Sequence, residues 1–177
     1  MPGCERMQGW MVLPLAALTI ALPAYAQSPS QSPAHLPIID AIIVHKAGRS
    51  MELYAGGQLV WTISGIQLGR APIGPKHFRG DLRTPEGHYV IDGANPASFY
   101  HLSLRISYPT RADAAFALSQ GRDPGGGVFI HGQPEDWPAA RGRVPGDWTD
   151  GCIALSNAEI ETLWEVVPDG TPIDIEP

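Results

Sequence analysis

The chain has 177 residues, which is enough for one domain with a buried core but short for two. Hydrophobic residues make up 44% of the chain and charged residues 17%, a composition that excludes a disordered polyelectrolyte. The 12 basic and 18 acidic residues give a formal net charge of −6 without a large basic cluster, so a nucleic-acid partner is not expected.

The first 26 residues are predicted to be a secretory signal peptide. Residues 9–22 form an uncharged apolar run, Arg6 precedes it, and Ala24-Tyr25-Ala26 has the small-x-small pattern of a cleavage site. The run is shorter than the roughly 20 residues that span a bilayer, and Pro14 interrupts it, which disfavours the alternative of a membrane anchor. We therefore expect export to the periplasm, with membrane contact only through this segment. Cleavage would leave Cys152 as the only thiol.

Residues 27–37 are rich in Ser, Pro and Gln and are predicted to be a flexible linker, so the folded domain is expected over residues 38–177. Gly56-Gly57 separates two apolar runs and predicts a tight hairpin. In residues 100–108, apolar and polar side chains alternate as in a half-buried strand. The predicted strands cover residues 38–45, 51–55, 58–64, 88–92, 100–108, 128–131 and 172–175.

Two short helices are predicted. Residues 112–118 form one, and Ser156 with Glu159 forms a capping box that begins the other. An apolar stripe follows that box at helical spacing, and Pro168 ends the helix. The fold class is therefore predicted to be mostly β, a sandwich or a barrel-like sheet, with one or two short helices. One of these helices follows the turn that carries Cys152.

Cys152 and His131 are the residues best suited to covalent chemistry. A thiol attacks as its thiolate, which is a minor form at neutral pH, and a neighbouring imidazole is the usual activator. Gly151 would let the backbone approach a substrate closely, and the amides of Gly151 and Cys152 are candidate donors to an oxyanion. From these residues alone, two simpler interpretations stay open: Cys152 as a small buried side chain and His131 as a structural histidine.

Several short motifs follow one another along the predicted domain. They are Leu53-Tyr54, residues 68–76 (LGRAPIGPK), residues 80–87 (GDLRTPEG), Asn95-Pro96, residues 106–109 (ISYP), residues 124–126 (PGG), residues 130–132 (IHG) and residues 147–154 (DWTDGCIA). In this order they resemble the L,D-transpeptidase catalytic domain family of the YkuD type, especially its YafK-like subgroup. The resemblance covers almost the whole predicted domain.

The resemblance implies acyl transfer on peptidoglycan in cell-wall biogenesis and cell shape. In this family a cysteine attacks the carbonyl of the diaminopimelate residue in a tetrapeptide stem and expels D-alanine. An amine then resolves the thioester, giving a cross-link or an attached protein. Carried over, Cys152 is the nucleophile and His131 is the general base and acid. Gly151 supports the oxyanion, and Thr149 occupies the small hydroxyl position of the motif.

Two positions depart from the common family motif. Asp150 replaces a histidine before Gly-Cys, and Ala154 replaces an arginine two positions after the cysteine. A carboxylate beside the thiol opposes thiolate formation. Because the motif arginine is absent, other residues are expected to bind the substrate carboxylate. The candidate substrate-binding residues are Lys76, Arg83, Arg105 and Asp150.

Three other functions are compatible with parts of the pattern. The same acyl-enzyme could be resolved by water, which would make the protein an L,D-carboxypeptidase or an amidase that releases a wall-bound protein. A peptidoglycan-binding domain without activity is the second. A zinc hydrolase is disfavoured because the spacing of His45, His77, His88 and His101 is not that of metal ligands. No metal or cofactor is therefore expected.

Overall fold

The computed structural model describes residues 35–177. The predicted signal peptide and residues 27–34 of the predicted linker lie outside the described residues. No helix in the described range is long and apolar enough to cross a membrane. The strands are β1 (Ala41–His45), β2 (Ser50–Ala55), β3 (Gln58–Ser64), β4 (Gly87–Ser98), β5 (His101–Ile106), β6 (Val128–His131), β7 (Ile153–Ala154) and β8 (Pro172–Glu176); the helices are α1 (Arg111–Ser119), α2 (Asn157–Val166) and a 3-10 turn at Ala139–Arg141.

The eight strands form one sheet in the order β3-β2-β1-β8-β4-β5-β6-β7. The β1–β8 and β6–β7 pairs are parallel and the other pairs are antiparallel. Just after β3, Gln67 exchanges backbone hydrogen bonds of 3.0 and 2.8 Å with Ala154 of β7. The chain after one edge strand thus pairs with the other edge strand, which gives the sheet a barrel-like closure.

The core lies between the sheet and α2. Ile42 and Val44 alternate with more exposed residues along β1, as the period of a half-buried strand requires. The fully buried Ile160 and Leu163 lie on α2, which packs on β5 and β6. The predicted capping box is confirmed, because Ser156 accepts from the Glu159 amide and the Glu159 carboxylate accepts from the Ser156 amide at 2.8 Å. The mostly-β class with a helix after the Cys152 turn is also confirmed.

The largest differences from the predicted elements are in β4, β7 and β1. β4 continues through residues 93–98 (GANPAS), which lack an alternating apolar pattern, because it pairs with β5 along this stretch through two register shifts. β7 was not predicted, since two residues carry no periodicity. β1 begins at Ala41 rather than at residue 38, and the Ile39 amide instead bonds to the Val166 carbonyl at 2.8 Å.

The buried Lys46, directly after β1, binds three residues of the segment between β3 and β4. Lys46 is 2% exposed, and its ammonium group contacts the Glu86 carboxylate at 2.7 Å, the Gly74 carbonyl at 2.7 Å and the Thr84 carbonyl at 3.0 Å. All three ammonium protons therefore have acceptors. Burial lowers the pKa of Lys46, and the hydrogen bond to Glu86 opposes that change.

Lys46→Met is expected to lower the free energy of unfolding by about 3 to 5 kcal/mol, because Glu86 and two carbonyl groups lose their buried partner. Urea unfolding followed by circular dichroism measures the loss. Arg105→Met is the matched control, since it breaks an exposed ion pair with Asp92 and should cost less than about 1 kcal/mol. Equal losses in the two variants would contradict the assigned role of Lys46.

Candidate active site

Cys152 follows a tight turn that Thr149 holds together. The Thr149 hydroxyl donates to the Cys152 carbonyl at 2.7 Å and accepts from the Gly151 amide at 3.1 Å. Gly151 has a φ of +134°, and a Cβ there would lie 2.6 Å from the Arg83 carbonyl oxygen. Only glycine fits this position, because both the backbone angle and the approach of the neighbouring segment exclude a side chain.

The same contacts change the expectation for the oxyanion donors. The Gly151 amide, a candidate from the sequence, is engaged by Thr149 in the structure. Thr149 therefore acts on the turn itself, by fixing both the Gly151 amide and the Cys152 carbonyl.

His131 ends β6 with its imidazole enclosed by two aromatic rings. The side chain is 3% exposed, its ring stacks on Tyr100 with centroids 4.5 Å apart, and the Trp148 ring meets it edge-on at 5.6 Å. His131 Nδ1–H donates to the Gly132 carbonyl at 2.7 Å, since a carbonyl can only accept. Burial lowers the pKa of His131, which favours the neutral imidazole with Nε2 able to accept a proton.

Cys152 and His131 line one cavity of about 290 Å³, here called the Cys–His pocket. Its walls are mainly apolar and include the side chains of Phe99 and Tyr100. The structure thus brings together the two residues that the sequence singled out for chemistry. The remaining lining residues are Asn95, Ala97, Ser98, Ser103, Gly127 and Phe129.

The environment of Cys152 favours the thiol over the thiolate. Burial is the largest influence and raises the pKa of Cys152; a backbone hydrogen bond with Phe129 and the charge of Lys76 lower it, and the charge of Asp150 raises it. The Sγ lies 3.7 Å from the Gly127 carbonyl, to which the thiol donates weakly. Because the thiol is the resting form, attack by this sulfur requires a base that takes the proton.

A second cavity of about 270 Å³, here called the basic pocket, lies on another side of Cys152. Lys76 lines it but is 5% exposed, and its ammonium group is bound by the Asp81 carboxylate at 2.8 Å. Arg79, which the sequence analysis did not single out, lines the same pocket with a side chain that is 69% exposed and pairs with Asp123 at 2.7 Å. This pocket therefore combines a buried cation and an accessible cation beside the sulfur, and the predicted substrate-binding residue Asp150 also lines it.

The other two predicted basic residues lie outside both pockets. Arg105 forms an exposed ion pair with Asp92 at 2.7 Å on β5. The guanidinium group of Arg83 lies beside Gly74, and this residue contributes to the site through its backbone carbonyl next to Gly151. Of the three predicted cations, the structure places only Lys76 at the site.

Asp150 points to solvent and has its own cation. The side chain is 75% exposed and forms an ion pair with Arg70, a partner 80 positions earlier in the chain. This pairing explains how a carboxylate can sit two positions before the sulfur, since Arg70 offsets its charge. Ala154, at the position of the absent motif arginine, is fully buried in β7 opposite His131.

Asp150→Asn is expected to lower the pKa of Cys152, because it removes a negative charge and leaves Arg70 unpaired. Arg70→Gln should raise it by the opposite argument. Iodoacetamide alkylation of Cys152 at neutral pH measures both effects, each less than about fivefold because the pair is exposed. Changes in the same direction in both variants would contradict this electrostatic account.

The described histidines other than His131 mostly pair with carboxylates on the surface. His45 lies 3.1 Å from Glu176, and His101 lies 2.6 Å from Glu161. Within residues 35–177, no three His, Cys, Asp or Glu side chains are grouped as metal ligands would be.

Comparison with known proteins places this geometry in a family. The sequence model of the YkuD L,D-transpeptidase catalytic domain matches residues 39–175. The chain belongs to this family. YafK of Escherichia coli strain K12 is 24% identical over 148 residues, which cover 81% of this chain and 50% of YafK. The chain therefore spans about half the length of this curated relative.

Solved structures agree with the fold. The helical cell shape determining protein Pgp2 from Campylobacter jejuni superposes with a TM-score of 0.62 and 29% identity, covering 79% of this chain and 48% of that chain. An L,D-transpeptidase from Mycobacterium smegmatis superposes with a TM-score of 0.51 at 15% identity, covering 77% of this chain and 58% of that chain. The likeness to the mycobacterial enzyme is one of fold alone. L,D-transpeptidases are thus among the structural neighbours of this mostly-β fold.

Proposed function

We propose that this chain is a cysteine acyltransferase that acts on peptidoglycan stem peptides in the periplasm. The observation that carries the proposal is the shared pocket of Cys152 and a neutral, buried His131 in a domain of the L,D-transpeptidase family. Maintenance of cell shape is the biological role that we propose with it, because Pgp2 is named for that role.

The acylation step follows from the protonation states of the two residues. Cys152 Sγ attacks the carbonyl of the third stem residue, and its proton passes to His131 Nε2 as the S–C bond forms. The amide of Cys152 donates to the oxyanion of the tetrahedral intermediate. His131 then gives the proton to the leaving amine, the C–N bond breaks and a thioester remains.

The basic pocket supports binding of the acyl donor. Stem peptides carry carboxylates, and this pocket opens beside Cys152 with Arg79 exposed in it. We propose that the exposed Arg79 binds a donor carboxylate. Lys76 contributes its charge without direct contact, because its side chain is 5% exposed and its ammonium group donates to Asp81 and to the Phe78 carbonyl.

Product analysis with tetrapeptide-stem muropeptides tests the proposal. Mass spectrometry should detect free D-alanine and either a new amide bond to an added amine or a shortened stem from hydrolysis. The ratio of these products shows whether water or an amine accepts the acyl group. The amine acceptor can belong to a protein, which then becomes attached to the wall. Unchanged muropeptides after prolonged incubation with folded protein would contradict the proposal and favour a binding domain.

A further inference from the structure

The hydrogen bond of His131 fixes its imidazole at one nitrogen. Nδ1–H donates to the Gly132 carbonyl at 2.7 Å, and that acceptor belongs to the next residue of the chain. Within residues 35–177, the imidazole forms no ion pair with a carboxylate. Rotation about the last side-chain torsion of a histidine is soft, so a ring held in this way can still swing. Packing must therefore set the direction of Nε2.

Trp148 and Tyr100 supply that packing. The Trp148 ring meets the imidazole edge-on, with centroids 5.6 Å apart and an angle of 66° between the planes. The same indole lies 5.6 Å from the ring of Tyr100, which stacks on the imidazole at 4.5 Å. The three rings contact one another. Trp148 thus closes one side of His131 and also holds the Tyr100 ring on its face.

The backbone on both sides of Trp148 is fixed to the segment after β3. The Asp147 carboxylate accepts from the Leu68 amide at 2.9 Å, and the Thr149 amide donates to the Leu68 carbonyl at 3.2 Å. Thr149 also binds the Cys152 carbonyl through its hydroxyl. One turn therefore carries both the nucleophile and the indole that contacts the base.

We propose that Trp148 is a positioning residue that acts through His131, by holding the imidazole and the stacked Tyr100 ring in place at the Cys–His pocket and by excluding water from them. This inference rests on the proposed function, in which His131 is the base. Water exclusion keeps the imidazole neutral and able to take the thiol proton. The face of Tyr100 then stabilises the imidazolium that forms during attack on the acyl donor.

Charged groups near His131 stay the same in the variants that test this role. The titratable groups on the elements packed around the imidazole are Cys152, Asp150 and Asp147 in the turn, Tyr100 on its face, His101 of β5, Glu159 and Glu161 of α2, and Glu135 and Asp136 after β6. The partners of His131 in the neighbouring strands, Ser103 and Ala154, are uncharged. A change in the pKa of His131 on substitution of Trp148 therefore reports a change in enclosure.

Nuclear magnetic resonance of the chain labelled with ¹⁵N-histidine measures the pKa and the tautomer of His131. Burial lowers this pKa in the wild type. Trp148→Ala should raise it towards the ordinary value, because water reaches the ring, and should mix the two tautomers. Trp148→Phe should keep most of the lowering. It retains an aromatic ring and removes an indole N–H that is buried without a hydrogen-bond partner in the described residues.

Acylation by a tetrapeptide-stem donor gives the second readout. We expect Trp148→Ala to lower kcat by about 10- to 100-fold, because the base is misplaced and more often protonated. KM should change by less than about threefold, since Trp148 does not line the Cys–His pocket. The acid limb of the pH profile should move to higher pH with the pKa of His131. Trp148→Phe should recover most of the rate.

Trp137→Ala is the matched control. It removes an indole from the same segment between β6 and β7, where Trp137 donates to the Gly142 carbonyl at 2.8 Å and packs on Arg141. The pKa of His131 and the rate of acylation should both stay at their wild-type values. Circular dichroism checks that each variant folds, and Trp148→Leu, which fills part of the space without a ring, replaces Trp148→Ala if that variant unfolds.

Two results would overturn the inference. One is a folded Trp148→Ala or Trp148→Leu variant with the wild-type pKa and tautomer of His131, whatever its activity. The other is an equal loss of rate in Trp137→Ala, which would mean that the whole segment is only destabilised. The resonance measurement needs no peptidoglycan. A wild-type chain that forms no acyl-enzyme therefore overturns the proposed function separately from the contact between Trp148 and His131.

Discussion

Cys152→Ala and Cys152→Ser are expected to lower turnover of tetrapeptide stems by at least about 10³-fold. Alanine removes the nucleophile. Serine keeps an oxygen near the same place, but burial lowers the pKa of His131, and such an imidazole is too weak a base for an alcohol that lacks further activation. Release of D-alanine, measured by chromatography, gives the rates.

Both Cys152 variants should fold normally, because the hydrogen bonds of the sulfur, to the Gly127 carbonyl and with the Phe129 backbone, are weak. Circular dichroism and the midpoint of thermal unfolding check this. Ser103→Ala is the control within the same pocket and should retain most of the activity. Turnover that persists in folded Cys152→Ala would mean that another residue carries the acyl group.

His131→Ala and His131→Gln are expected to lower the rate of acylation by about 10²- to 10⁴-fold. The sign of the pH dependence follows from the two shifted groups. Burial lowers the pKa of His131 and raises that of Cys152, so the resting pair is neutral and the proton moves during attack. In the wild type, activity should fall on the acid side as His131 becomes protonated.

The rate of iodoacetamide alkylation of Cys152 against pH measures this dependence. Without His131, alkylation should follow the raised pKa of the isolated thiol, so the profile moves to higher pH. His131→Gln is a second variant that fills the space in case the alanine variant unfolds. His88→Ala is the control, since His88 lies on the surface beside Asp174 and should leave the profile unchanged. An unmoved profile in folded His131→Gln would contradict the assigned role.

The parts of the fold that local patterns specify were predictable from the sequence. Gly56-Gly57 adopts positive φ angles between β2 and β3, as the hairpin pattern required. The Ser156 capping box begins α2 as expected. β4 was predicted at less than half its length, because pairing with β5, rather than residue type, extends it.

Long-range pairings were not predictable, because no sequence spacing encodes them. β8 lies between β1 and β4, strands that are far apart in the chain. At the site, Cys152 and His131 were identified, whereas the partner of Asp150 was not, since Arg70 reaches it only through the fold. The same holds for the rings of Tyr100 and Trp148 around His131, although alternation in residues 100–108 correctly indicated a strand.

The thioester on Cys152 is the central claim, and intact-protein mass spectrometry tests it most directly. The wild-type chain is mixed with a tetrapeptide-stem muropeptide, quenched in acid within seconds, and weighed before and after peptide mapping. We predict an added mass equal to the mass of the donor minus the mass of free D-alanine. The adduct should be located on Cys152 and absent from Cys152→Ala. D-alanine release without any adduct on Cys152, or an adduct on another residue, would contradict this account.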